Sequence, residues 1–127
     1  MANRTSDSQS EHDRVIEASA ATWRRNQANV VHTNPNGKQN FSVNDSSFPD
    51  IVITDVNNRL LAIEEIETED SVNQLESKQW TEYAGFGVKF NLVVPATKIN
   101  EAYELIKPVG NIRIQGYSQR NGQIIFD

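Results

Sequence analysis

The chain has no cysteine, so disulfides, a thiolate nucleophile and a zinc-ribbon centre are all excluded. Histidine is nearly as scarce: His12 and His32 are the only two, too few and too separated to suggest a histidine-based metal site. No apolar run approaches the roughly 18 residues of a membrane span. The stretch from Met1 to Ser10, with Asn3, Arg4, Asp7 and several serines, lacks the apolar segment of a secretory signal. A cytoplasmic location is therefore expected. Positive charge is also in deficit, with 12 Lys and Arg against 17 Asp and Glu for a net charge of −5. That balance argues against a nucleic-acid binder working through bulk positive charge, because such affinity comes from Lys and Arg on phosphates.

The acidity that is present is concentrated. Residues 1–43 carry a net +1, residues 44–76 a net −8 and residues 77–127 a net +2. One or two divalent cations bound in the central segment would neutralise part of it, so the overall charge is a poor guide to the local field. With 127 residues the chain suits one domain. The Ser- and Asn-rich residues 1–10 read as a disordered tail, and 11–127 as a single domain.

Periodicity gives the order of elements. Ile16, Ala20, Trp23 and Ala28 recur at helical spacing, with Glu11 and Asp13 early and Arg24 and Arg25 late, as the helix dipole favours, predicting a helix over 11–28. A short strand over 29–33 precedes the turn residues Asn34-Pro35-Asn36-Gly37, and residues 38–47 read as a loop or weak edge strand. Strands are predicted over 48–55, 59–67, 88–95, 111–117 and 123–126, and helices over the Val72–Tyr83 pattern and 98–107. Asp70 or Ser71 would cap the second helix and Pro108 would stop the third. The apolar ending of 88–95 suggests burial on both faces, as in the middle of a mixed sheet. The class is α/β with a mixed sheet, in the order α-β-β-β-α-β-α-β-β.

The second and third strands carry the chemistry. Pro49-Asp50 opens one and Glu65-Ile66-Glu67 closes the other. A two-residue turn at Asn57-Asn58 makes opposed residue numbers sum to 115, which sets Asp50 across from Glu65. Like charges placed there are destabilising unless something offsets them, and a divalent cation would. Alternation puts Glu67 on the same face as Glu65, about 7 Å along the strand. Gln79 and Tyr83, four apart, share one helical face and can hydrogen-bond a phosphate or a metal ligand, with Trp80 pointing elsewhere.

These residues resemble the PD-(D/E)xK nuclease superfamily, the restriction-endonuclease-like fold. That fold is a helix, a three-strand antiparallel meander, a second helix and a parallel fourth strand. The predicted order matches it over residues 11–95, with a helix and two strands added after it. Pro49-Asp50 resembles the superfamily's Pro-Asp, Glu65-Ile66-Glu67 its acid-x-lysine, and Gln79 with Tyr83 the Gln-x-x-x-Tyr of its exonuclease-like branches. An acid on the first helix often joins such sites, and Glu17 is the candidate. Glu67 stands where lysine is usual, as in some members of the superfamily. The resemblance implies a metal-dependent nuclease that hydrolyses DNA phosphodiesters with Mg²⁺ or Mn²⁺ held by Asp50 and Glu65. Glu67 would orient or deprotonate the attacking water or reach a second metal. Without the lysine charge, a heavier dependence on metal is expected.

Each candidate has a plainer alternative. Asp50 and Glu65 could be solvated strand ends, Glu67 likewise, and Glu17 an ordinary helix-surface acid. Gln79 and Tyr83 could simply pack in the core with polar tips. Glu64, Glu69 and Asp70 read as solvent-facing or capping, Trp23 and Trp80 as core or interface residues, and the histidines carry no assigned chemistry. Lys38, Lys78 and Lys89 are candidate phosphate contacts, though scattered basic residues are usually only solvating. A homodimer is compatible with so little chain outside the core. The competing function is a catalytically inactive subunit of the same fold, serving binding or assembly.

Overall fold

The computed structural model describes residues 4–107 and 112–127. The elements are α1 (Ser6–Arg24), β1 (Val30–Thr33), β2 (Ile51–Thr54), β3 (Leu60–Ile66), α2 (Gln74–Ala84), β4 (Lys89–Pro95), α3 (Ile99–Ile106), β5 (Ile112–Arg120) and β6 (Gln123–Phe126). One sheet carries the six strands in sequence order. Strands β1, β2 and β3 form an antiparallel meander, β4 and β5 run parallel to β3, and β6 returns antiparallel. No helix among the described residues is long and apolar enough to cross a membrane.

Period-two alternation sends apolar side chains to both faces of this sheet, and each face has its own core. On one face Ile51, Ile53, Ala62, Ile66 and Val93 meet Val15, Ile16 and Ala20 of α1. On the other, Val52, Ile63, Phe90, Leu92 and Val94 meet Trp80 and Tyr83 of α2 and Ala102 and Ile106 of α3. β4 lies between β3 and β5 and is buried from Phe90 to Pro95, which explains its continuous apolar ending.

Two boundaries differ from the periodicity. The first helix begins at Ser6 instead of 11, because the Thr5 side chain accepts from Ser8 N at 3.1 Å and caps it. Residues 5–10 of the expected tail are therefore ordered, while Met1–Asn3 lie outside the described residues. The helix also ends earlier, at Arg24, where Asn29 Nδ2 donates to the Trp23 carbonyl at 3.0 Å. Asn73, not Asp70 or Ser71, caps α2, its side chain accepting from Glu76 N at 2.9 Å. Residues 69–71 form a short 3₁₀ turn of their own. Pro108 and Asn111, the expected helix stop and strand start, lie outside the described residues.

The β2–β3 pairing decides the site. Ile51 opposes Glu64, Val52 opposes Ile63 and Ile53 opposes Ala62, the register in which numbers sum to 115. The loop is longer than the expected two residues: Asp55 N donates to the Arg59 carbonyl at 3.0 Å, and Asn58 sits in the left-handed region with φ 68°. Three-residue hairpin loops use such a left-handed third residue. Thr54 consequently opposes Leu60, and a bulge restores the register before Ile53.

Candidate active site

At the open end of this hairpin, two carboxylates grip each other's strands. Asp50 N donates to Glu65 Oε1 at 2.8 Å, and Ile66 N donates to Asp50 Oδ2 at 2.8 Å. These bonds fix both side chains toward one place. Asp50 Oδ1 and Glu65 Oε2 accept no hydrogen bond from the described residues. Glu65 is buried, and burial first, then the charges of Asp50 and Glu67, hold its carboxyl well above the usual value.

Around them is a cavity of about 360 Å³, whose walls include five carboxylates, Asp50, Glu65, Glu67, Glu76 and Glu82, against Arg4, His12 and Lys38. Glu82 accepts from Ser47 Oγ at 3.0 Å. The surplus of carboxylates makes the cavity a place for positive charge.

His12 enters from α1. Its Nε2 lies 3.1 Å from Asp50 Oδ2 but lacks the alignment of a hydrogen bond, although the ring is only 3% exposed. Burial works to lower its pKa; the neighbouring Asp50 outweighs that and leaves it raised above the ordinary 6.5.

Glu67 is differently held. Its Oε1 accepts from Arg4 Nη2 at 3.0 Å and from Ser71 Oγ at 2.7 Å, and its Oε2 accepts from Trp80 Nε1 at 2.7 Å. Arg4 also donates from Nε to Thr68 Oγ1 at 3.1 Å and from Nη2 to the Ile66 carbonyl at 3.3 Å. Burial pushes the Glu67 carboxyl up to about 7, against the pull of the Ser71 and Trp80 hydrogen bonds. Three donors fill most of a carboxylate's accepting positions, so Glu67 acts first as a fastening for the segment before α1.

Of the residues singled out from sequence, Asp50, Glu65, Glu67, Gln79 and Lys38 line this one cavity. Tyr83 lies beside it in the core, fully buried, with a hydroxyl that has no partner among the described residues; burial and then the charges of Glu65 and Asp50 raise its pKa. Glu17 is not brought here. It is exposed on α1, in a shallow depression with Arg14 and Ile124, because the buried side of the helix runs through His12, Val15, Ile16 and Ser19. Lys78 is exposed on α2, and Lys89 lines a cavity on the opposite face of the sheet. Trp80, expected to point away, is the donor to Glu67, and Trp23 plays the same part for Glu64 at 3.1 Å. Glu64, expected in solvent, is 2% exposed.

Arg4 and His12 are the contributors that sequence reasoning missed. For His12 a signal existed: it stands three, four and seven residues before Val15, Ile16 and Ser19, in register with the buried stripe. Arg4 had none, since its partners lie more than sixty residues away.

Among the described residues, no three His, Cys, Asp or Glu side chains are grouped as ligands of one ion. Two carboxylates with open oxygens still fit Mg²⁺, which usually keeps several waters and takes one or two carboxylates from the protein. The chain matches no family model, no curated protein and no solved structure.

Proposed function

We propose that the protein is a metal-dependent nuclease of the restriction-endonuclease-like fold, hydrolysing phosphodiester bonds in DNA. One observation carries this reading: Asp50 and Glu65 are locked side by side across two strands, each with an oxygen left open on the same acidic cavity. Like charges held on neighbouring strands, that of Glu65 buried and that of Asp50 half-buried, are costly without a cation to share. The helix, antiparallel meander, helix and parallel strand over α1 to β4 are also the order that the superfamily resemblance implies.

In this reading Asp50 and Glu65 hold Mg²⁺ or Mn²⁺, which supplies charge stabilisation at the phosphoryl group and acidifies an attacking water. The chain's own residues supply the rest. His12 steadies Asp50 through its Nε2, and the Asp50 and Ile66 backbone amides keep both carboxylates aimed. Gln79 and Lys38, on the cavity wall, donate to phosphate oxygens, and Lys38 is the exposed cation available to a DNA backbone there. Glu67 takes a positioning role, tying Arg4 and Trp80 to the end of β3.

Cleavage of a fluorescently labelled DNA duplex tests this. Activity is expected with Mg²⁺ or Mn²⁺, none in EDTA, and a loss of roughly a thousandfold in Asp50→Ala and Glu65→Ala. Equal cleavage by these variants and the parent protein would reject it.

A second reading, a non-catalytic subunit of the same fold, is favoured by one feature: Glu67, in the place of the usual lysine, is closed off by Arg4, Ser71 and Trp80. DNA binding without cleavage under every metal tried would select that reading.

A further inference from the structure

Arg4 stands two residues before α1, and its guanidinium is held along one edge. Nε donates to Thr68 Oγ1 at 3.1 Å, and Nη2 donates to Glu67 Oε1 at 3.0 Å, to Ser71 Oγ at 3.2 Å and to the Ile66 carbonyl at 3.3 Å. The group is planar, so fixing Nε and Nη2 fixes the plane and turns Nη1 to the other side. Nη1 donates to none of the described residues. Unlike the orphaned Tyr83 hydroxyl it is not sealed in the core, and Arg4 lines the carboxylate cavity.

The bond to Ile66 says where the guanidinium lies. In an extended strand the N–H and C=O of one residue point to the same neighbour. Ile66 lies past the end of β2, where Asp50 Oδ2 takes its N–H at 2.8 Å and Arg4 takes its carbonyl. Arg4 is thereby set beside Asp50. Its charge also works to lower the pKa of Glu65, Glu67 and His12, as a cation close to all three would. Of the other cations on this wall, His12 rests on Asp50 and Lys38 is exposed. Arg4 is the one that the fold holds in a fixed plane with a nitrogen to spare.

Hydrolysis of a phosphodiester gathers negative charge on the non-bridging oxygens as the attacking oxygen nears phosphorus, and a fixed donor aimed there stabilises that state more than the bound substrate. We infer that Arg4 is a catalytic residue of the hydrolysis proposed above, donating from Nη1 to a non-bridging oxygen of the scissile phosphate. The inference rests on that reading and adds to it the source of fixed positive charge. Glu67, Thr68 and Ser71 are then positioning residues that hold the guanidinium plane, and Arg4 transfers no proton.

Steady-state cleavage of a labelled DNA duplex in Mn²⁺ by the parent and by Arg4→Lys tests it. Lysine keeps a positive charge opposite Glu67, but one ammonium cannot fill the place of Nε and Nη2 and also reach a phosphate. In the variant kcat should fall about a hundredfold, with KM and Mn²⁺ affinity within about threefold of the parent. A merely structural Arg4 would lower the melting temperature and leave kcat of the folded protein unchanged. Equal kcat in parent and variant, with Asp50→Ala inactive, would overturn this inference alone. A parent that cleaves no DNA would overturn it together with the nuclease reading. Should Arg4→Lys fail to fold, the parent decides: the guanidinium NMR signals of Arg4 should shift when a non-cleavable phosphorothioate duplex binds in Mg²⁺, and unmoved signals would overturn the inference.

Discussion

Glu67 shows how one side chain can change meaning once its surroundings are known. In the sequence, where its resemblance to a nuclease motif would put a lysine, it suggests an unpaired acid at a reacting centre; in the fold its oxygens are occupied by Arg4, Ser71 and Trp80. Arg4 is 8% exposed and Glu67 1%, so breaking the pair strands a buried charge. At about pH 9, where Glu67 with its value of about 7 is ionised, Arg4→Gln should therefore lose about 3–5 kcal/mol in urea unfolding. Combined with Glu67→Gln, it should lose clearly less than the sum of the two single changes, because both remove the same interaction. Additive losses would mean that the pair does not couple. Glu67→Lys carries a further expectation. It sets an ammonium against the Arg4 guanidinium in a buried pocket, so it should unfold at lower urea than Glu67→Gln, and an equal midpoint would contradict the placement of Arg4.

The hairpin of β2 and β3 is the element on which the site depends, and its register was readable from Pro49 to Glu67 for a partly fortuitous reason. A three-residue loop shifts the pairing by one, and the bulge before Ile53 shifts it back, so Asp50 still faces Glu65. Neither device is visible in a period-two pattern, whereas the alternation that places Glu65 and Glu67 on one face and Glu64 on the other is. Asn58 carries the left-handed turn at φ 68°. Asn58→Gly should leave stability within about 1 kcal/mol of the parent, and Asn58→Val should cost about 1–2 kcal/mol, read from thermal unfolding. Equal effects of the two would contradict the turn geometry. α1 was legible only in part. Its periodicity marks a helix and Thr5 caps it locally, accepting from Ser8 N, but the Arg4 anchor that ties this end to the site depends on contacts with residues 66–71, which no local pattern encodes. Glu17 lies off the buried stripe on which His12 sits, so the helix turns His12 and not Glu17 toward the site.

Across the whole molecule, three buried glutamates, Glu64, Glu65 and Glu67, have pKa values raised above the ordinary 4.5, chiefly by burial. Below about pH 4.5 these groups are protonated in both the folded and unfolded chain, and their burial imposes no ionic penalty. As pH rises from 4.5 toward the Glu67 value of about 7, the unfolded chain releases protons that the fold retains, so the fold loses stability across that window. In EDTA the melting temperature should accordingly fall between about pH 5 and pH 7.5. Mn²⁺ should restore much of the loss at the higher pH and little at the lower, because a cation stabilises the ionised carboxylates. A melting temperature that rises over this range in EDTA would contradict the burial of these acids. Calorimetric titration of Mn²⁺ at about pH 7.5 bears most directly on the carboxylate pair. The parent protein should take up the ion at a saturable site, and Asp50→Asn and Glu65→Gln should each bind it at least about tenfold more weakly. No uptake by the parent, or uptake unaltered in both variants, would contradict a cation shared by Asp50 and Glu65.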